Sequence, residues 1–359
     1  MTTRTISTDV PYRLTRLGVI MRPDPSSELE VEGVLNPATG RTPDGRLWLL
    51  PRLVAAGNVS RVGLAEILLE DGRPAGVRRD GVVLAPDEGW ERSRRGAGVE
   101  DPRITYVPSL GLHVMSYVAF GPLGPTPALA TSTDLRQWRR LGPVHFEYQQ
   151  DLDMDLNLFP NKDVVLFPEP VPGPDGRPSY AMLHRPMWDL GWILGDGDET
   201  YLPAGVEDDR PGIWISHVPV EDVRRDLRAL THVGQHRLVA LSAYDFEALK
   251  IGAGPAPIRV EEGWLLIHHG VAGELTEGWA PQERVRYAAG AMLLDPEDPS
   301  RVLARTDRPL LEPAVEEERS GTVPNVVFPT AIEEIDGQRF VFYGMADSAI
   351  GVARLDRRQ

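Results

Sequence analysis

The sequence predicts an all-β fold, a five-bladed β-propeller. Three observations carry this expectation. A Gly-containing turn, an apolar or aromatic strand, a connection and a second strand rich in small residues recur five times, at intervals of roughly 60 to 90 residues, as radial β repetition requires. The strand-like runs are short and bounded by Gly, Pro and Asp, while long helical periodicity is scarce. A chain of 359 residues is also long enough for one large all-β domain.

Taken in order, residues 1–35 read as an irregular lead-in segment, with one apolar run, Leu17–Met21, stopped by Pro23-Asp24-Pro25. Residues 36–359 read as the propeller, the catalytic domain. The first strand pair is Asp44–Leu50 answered by Ser60–Ala65, and the second is Leu112–Tyr117 answered by Pro127–Ser132. The third is Ser179–His184 with Gly212–Ser216, the fourth Gly263–His268 with Arg286–Met292, and the fifth Gln338–Tyr343 with Ala349–Ala353. Two stretches break the rhythm. Residues 187–211 form an acidic insertion containing Gly and Trp, read as a long loop over one mouth of the propeller. Glu221–Leu230 reads as a short helix. The strand tryptophans Trp48, Trp214 and Trp264 read as core.

Composition removes several function classes. A net charge of -15 without basic clusters argues against nucleic acid as a partner. The absence of cysteine excludes disulfides, thiolate nucleophiles and cysteine metal sites. The N-terminus lacks the apolar core of a secretory signal, and no run approaches the ~18 apolar residues of a membrane span, so a soluble, cytoplasmic protein without a membrane partner is expected. No metal is expected either. Asp151–Asn157 resembles a calcium loop but places Leu156 where glycine belongs and Lys162 where a bidentate glutamate belongs. His268-His269-Gly270 lacks zinc-site spacing. Lys250–Ile258 is glycine-rich without being a phosphate loop, and no Gly-x-Ser-x-Gly elbow is present.

The candidate chemistry gathers at strand ends. In Gly98–Arg103, Asp101 lies beside a second carboxylate, Glu100, and near Arg103, neighbours able to move its pKa, which makes it the expected general acid. Pro102 is expected to hold Asp101 in an extended backbone at a strand entrance, although Asp-Pro also begins ordinary turns. Asn161-Lys162-Asp163 repeats this layout ahead of Val164–Phe167. Of 38 basic residues only Lys162 and Lys250 are lysines, which reads either as a need for a compact ammonium at those positions or as chance survival in an arginine-biased composition. Arg52, inside the apolar run Leu50–Leu53, needs an anion. His184 and Arg185 face one pocket only if Pro186 has ended their strand; taken alone, His184 reads as a buried structural histidine. One acid, Asp101, with the cations Arg52, Lys162, His184, Arg185 and Lys250 suits displacement by an anion with protonation of the leaving group.

These motifs together resemble glycoside hydrolase family 130, the inverting β-mannoside phosphorylases and related β-mannosidases. The resemblance rests on Gly33–Pro37, Gly98–Arg103, Asn161-Lys162-Asp163 through Pro168, His184-Arg185-Pro186, Lys250–Pro255, Trp264–Gly270 and Tyr343–Asp347. It implies a five-bladed propeller and phosphorolysis of a β-mannoside to α-mannose 1-phosphate. Asp101 would be the proton donor, passing its proton through a mannosyl hydroxyl, while phosphate attacks the anomeric carbon from the opposite face. Arg52, Lys162, His184 and Arg185 would bind phosphate. Asn36, Asp347, Glu100, Arg103, Lys250, His268 and His269 would bind substrate. Many members have a tyrosine, associated with phosphate contact, where this chain has His268. No cofactor is implied beyond inorganic phosphate as co-substrate; the partners are a β-mannoside oligosaccharide and phosphate, with homo-oligomer formation left open. The alternatives are an inverting β-mannosidase on the same fold and, from another class, a non-catalytic sugar-binding propeller.

Overall fold

Among the described residues, 6–93, 96–122, 124–188, 201–276 and 282–358, the computed structural model holds four mainly antiparallel sheets that resolve into five propeller blades, two of the blades sharing one eight-stranded sheet. The chain opens with β1 (Tyr12–Met21). Blade 1 follows as β2 (Gly33–Arg41), β3 (Leu47–Ala55), β4 (Val59–Glu70) and β5 (Arg73–Leu84). Blade 2 is β6 (Ala97–Val107), β7 (Leu112–Gly121), β8 (Gly124–Ser132) and β9 (Arg139–Pro143). Two parallel pairs, Val59 with Ala97 and Ser60 with Gly98, stitch it to blade 1. Blade 3 comprises β10 (His145–Phe146), β11 (Asn161–Leu166), β12 (Val171–Pro172), β13 (Pro178–Pro186), β14 (Ile213–Pro219) and β15 (His232–Ala240). Blade 4 is β16 (Lys250–Ala253), β17 (Ile258–Val260), β18 (Gly263–Gly273), β19 (Val285–Leu294) and β20 (Val302–Arg305). Blade 5 runs β21 (Val327–Ile335), β22 (Gln338–Met345) and β23 (Ala349–Arg357), and β1 adds its fourth strand antiparallel to β23.

Each of the five strand pairs read from the sequence is the central hairpin of a blade. The lead-in is the difference. Residues 12–21 are not irregular: Tyr12 pairs with Arg357 and Met21 with Ile350, so the strand closes the ring. Its partner lies more than 300 residues away, and Gly18 at φ 133° interrupts the alternation where the register shifts. The short helix is present as α1 (Val220–Arg225), followed by a 3-10 turn over Leu227–Thr231. Of the 187–211 insertion, 189–200 lie outside the described residues; 201–211 carry no strand or helix. Among the described residues, no helix is long and apolar enough to cross a membrane.

Propeller blades pack face to face, so the core divides into the blade interfaces. Five apolar clusters match five interfaces. Leu50, Val62 and Leu64 meet Val99, Met115 and Ala128 between blades 1 and 2. Val165, Leu183 and Ile215 meet Ile251, Trp264 and Leu266 between blades 3 and 4. Trp48, Trp214 and Trp264 are buried as expected.

A second repeat, polar and invisible in the sequence, ties the outermost strand of four blades to the segment leading into them. In blade 2 the buried Glu91 carboxylate accepts from Tyr117 Oη at 2.7 Å and from Arg140 Nε at 2.7 Å. In blade 5 Glu318 accepts from Tyr343 Oη at 2.9 Å and Arg16 Nε at 2.7 Å. In blade 4 Glu247 accepts from His268 Nε2 at 2.7 Å and Arg305 Nε at 3.2 Å. Blade 1 keeps the outer half alone, Arg79 to Glu30 at 2.8 Å. A buried carboxylate with its guanidinium removed, or the reverse, leaves an unpaired charge, so these clamps hold each blade's fourth strand in place. Glu318→Ala is expected to cost roughly 3 kcal/mol, the low end for breaking a buried pair because Arg16 retains some solvent contact. Urea denaturation monitored by tryptophan fluorescence reads this as a lowered midpoint.

Candidate functional site

Functional side chains reach the propeller axis through one backbone device used three times. In the innermost strands of blades 1, 2 and 3 the ladder slips at Leu35/Ala38, Glu100/Arg103 and Lys162/Val165. In each bulge one residue takes the left-handed conformation: Asn36 at φ 41°, Asp101 at 47° and Asp163 at 57°. Bulges re-aim side chains, and Asn and Asp tolerate this region best among residues with a Cβ. Gly33 and Gly98, three residues ahead, share positive φ values of 144° and 138°, so Gly-x-x-Asn-Pro and Gly-x-x-Asp-Pro are two copies of one turn. This corrects the expectation of an extended Asp101: Pro102 keeps it out of the right-handed helical region, and the bulge takes it to positive φ within β6.

The device brings most of the expected residues together. Asn36 Nδ2 donates to Asp101 Oδ1 at 2.8 Å, and Arg52 Nη1 donates to the same oxygen at 2.9 Å. Arg52 Nη2 reaches Glu100 Oε1 at 2.9 Å, and Nε is held by Ser60 Oγ at 2.8 Å. Lys162 Nζ stands 3.6 Å from the other Glu100 oxygen. Arg52 thus has its anion, a pair of protein carboxylates. Burial pushes the Asp101 carboxyl up, but Arg52, Lys162 and the Asn36 amide outweigh it and leave it below the usual carboxylate range. Asp347, in the turn between β22 and β23, goes the other way. Burial lifts it to about 6, with Asp101 and Glu100 adding to the rise and Arg52 and Lys162 opposing it.

On the opposite side Asp163 gathers a second group. Arg185 Nε donates to its Oδ2 at 2.6 Å and Arg103 Nη2 to its Oδ1 at 3.0 Å, while Arg103 also holds Gly254 O at 2.9 Å. His269 Nε2 lies 3.6 Å from Asp163 Oδ2, its ring against Phe328 and Tyr287. Burial takes His269 down to about 3, so it is neutral. Burial also raises Asp163, but Arg185 and Arg103 overcome it and hold the carboxyl far below the ordinary range. Lys250 stands over the Tyr287 ring, 5.8 Å from its centroid. Two glycines make room: a Cβ on Gly252 would overlap the Asp163 carboxylate, and one on Gly344 would overlap Asn36 Oδ1. Asp163 and Tyr287 escaped sequence reasoning as site residues, although Asp163 occupies the Asp101 position of the repeated layout.

Two expected ligands lie elsewhere. Strand β13 continues through Pro186, so Arg185 and His184 point to opposite faces. His184 is wholly buried inside blade 3, with Nδ1 against Asn161 Nδ2 at 3.0 Å and Nε2 against Ser216 Oγ at 2.8 Å, and Ser216 Oγ continues to His236 Nδ1 at 2.7 Å. Burial, with His236 nearby, keeps His184 neutral. Both ring nitrogens are occupied, so His184 is corrected from a phosphate contact to a member of this internal chain. His268 is likewise enclosed, in the Glu247 clamp at the place Tyr117 and Tyr343 hold in their blades, and is corrected from substrate contact to blade clamp.

Comparison with known proteins gives a family. A family model described as beta-1,4-mannooligosaccharide phosphorylase matches residues 34–359. The chain belongs to glycoside hydrolase family 130. It is 34% identical to a 1,2-beta-oligomannan phosphorylase of Thermoanaerobacter sp. (strain X514) over 264 residues, 73% of this chain and 69% of that one. A beta-1,2-mannobiose phosphorylase of the same organism is 32% identical over 277 residues, 76% of this chain and 70% of that one. Among solved structures, the beta-1,2-mannobiose phosphorylase of Listeria innocua, in complex with beta-1,2-mannobiose, superposes with a TM-score of 0.68 at 23% identity, covering 96% of both chains.

Two outcomes follow from the geometry. Asp163→Asn leaves Arg103 and Arg185 without their carboxylate and is expected to destabilise the fold by about 3 to 5 kcal/mol. Because the folded pKa is depressed, that stabilisation is fully present above the unfolded value near ~3.9 and fades as pH falls towards the folded one. The gap between wild-type and variant melting temperatures should therefore stay constant from about pH 5 to 8 and narrow below about pH 4. Gly344→Ala should displace Asn36 from Asp101 and lower turnover about 100-fold, the scale of an ångström-sized misplacement, with a much smaller change in melting temperature.

Proposed function

We propose that this chain is an inverting β-mannoside phosphorylase, cleaving its substrate with inorganic phosphate to give α-mannose 1-phosphate. The observation that carries the reading is a cationic surplus at the axis. Lys162, Arg185 and Lys250 converge there, Arg185 Nη1 has no acceptor among the described residues, and no carboxylate lies within ion-pair range of Lys250 among them. Arg103 and Arg185 share the single carboxylate of Asp163 and Lys250 adds a third basic group beside them, so this side of the axis is built for an anionic ligand. The names of the relatives support phosphate as that anion and a β-mannoside as the other substrate.

In this reading Asp101 protonates the departing glycosidic oxygen by way of a mannosyl hydroxyl, the route the family resemblance implies, and phosphate attacks the anomeric carbon from the opposite face. In the empty site Asp101 is ionised. Donation requires Arg52 and Lys162 to be drawn towards a bound anion, which removes the charges holding Asp101 down and lets it carry a proton. Asn36 fixes the carboxylate rotamer, and Glu100 keeps Arg52 and Lys162 on the same side of it. Arg185 and Lys250 face the anion; His269 and Tyr287 wall the pocket. A hydrolytic reading needs a carboxylate to activate water, and Asp347, lifted to about 6, is the group that would serve.

Incubation with a panel of β-linked mannosides, with and without inorganic phosphate, is expected to yield mannose 1-phosphate only when phosphate is present. Free mannose released at equal rates without phosphate would select hydrolysis. Asp101→Asn should lower kcat by about 10²- to 10⁴-fold while mannoside binding persists, whereas a non-catalytic sugar-binding propeller would show no turnover to lose.

A further inference from the structure

Lys250 is the first residue of β16, the innermost strand of blade 4. The charged and titratable groups facing it come from three other strands: Lys162 and Asp163 of β11, Arg185 of β13, and Tyr287 of β19. Lys162 and Arg52 have two carboxylates, Glu100 and Asp101, to answer them, but Asp163 is the one carboxylate for both Arg103 and Arg185. In the absence of a ligand this corner therefore holds more positive charge than the protein neutralises. Arginines cannot relieve the repulsion, because a guanidinium keeps its proton at any pH a protein survives. A lysine can.

We infer that Lys250 is a proton-coupled anion receptor: without a ligand it gives up its proton above neutral pH, takes one from solvent as phosphate enters, and releases it when the anion leaves. The proposal rests on the phosphate reading above and adds to it a particular residue and a proton stoichiometry. Burial, reinforced by Arg185 and Lys162, brings the Lys250 ammonium down to about 7, with Asp163 opposing, which agrees with the arrangement of charges. A dianion placed between Lys250 and the cations Arg185 and Lys162 reverses the sign of the local field and restores the ammonium. The device also explains a lysine here in a chain that otherwise uses arginine almost everywhere: a permanently charged side chain would repel Arg185 in every turnover cycle once product has left.

The test is titration calorimetry on the full chain, using sodium sulfate as a dianion that does not itself titrate between about pH 6 and 9, with inorganic phosphate as the companion ligand. At pH 8, in two buffers of different ionisation enthalpy, the wild type is expected to take up about one proton per sulfate bound. Its dissociation constant should rise about tenfold per pH unit above pH 7.5. Lys250→Arg should bind sulfate with no proton uptake and a flat pH dependence, and Lys250→Met should bind weakly at every pH, also without uptake. Circular dichroism melts confirm that both variants are folded; if either is not, the wild-type proton count and pH slope decide alone. Sulfate binding by the wild type without proton uptake, or equal uptake in folded Lys250→Arg, overturns the role of Lys250 and leaves the phosphate reading intact. Failure of the wild type to bind either anion removes the phosphate reading and this inference with it.

Discussion

The carboxylate of Asp163 is the point on which the axis of this propeller depends. It is buried and comes from blade 3; it takes one guanidinium from blade 2 and another from its own blade, and it presses on Gly252 of blade 4. An anion in that position would be prohibitively costly without both arginines, and the arginines would be equally costly without it. Arg103 in addition binds two carbonyls of the 253–254 backbone, so its placement fixes blade 4 against blade 2. The charge pairing that pins the blades together thereby also sets the direction in which Arg185 faces the axis.

Chemistry and architecture share one repeat. Asn36, Asp101 and Asp163 are equivalent residues of three blades, each thrown towards the axis by a bulge at positive φ, a conformation that costs about 1 to 3 kcal/mol for a residue with a side chain. Their predecessors Leu35, Glu100 and Lys162 are equivalent too, as are Arg52 and Arg185, which pair across from them. A single scaffold position therefore carries an amide in one blade, an acid in the next and an electrostatic anchor in the third. Asn36 and Arg52 of blade 1 converge on a single oxygen of Asp101, so the acid is oriented from the blade preceding its own.

Much of the fold was legible in the sequence because each blade's central hairpin is local: strand, turn and strand lie within a few tens of residues, and alternation with Gly and Asp turns marks them. β1 was illegible because its partner is at the far end of the chain. Asp101, Arg52 and Lys162 were legible as charges set in apolar surroundings. The direction of a side chain was not, since a one-residue bulge or one further strand residue reverses it. That is why Asp101 is expected extended, whereas His184 and His268 take their ligand roles from the family resemblance. His268 carries no local sign that Glu247, 21 residues earlier, awaits it in a clamp. The Glu–Arg clamps join residues up to 302 positions apart and leave no periodic trace.

The closure of the ring by β1 has a mechanical consequence. Tyr12 lies beside Arg357 and the two strands run antiparallel, so a load applied across that end of the seam would part the ladder one hydrogen-bonded pair at a time instead of shearing all pairs at once. The Arg16–Glu318 clamp stands at the fifth residue of that zipper and ties β1, the strand being peeled away, to the segment leading into blade 5 and not to β23. It would act as a latch: the first few pairs give way cheaply, and the ring stays closed until the ion pair breaks.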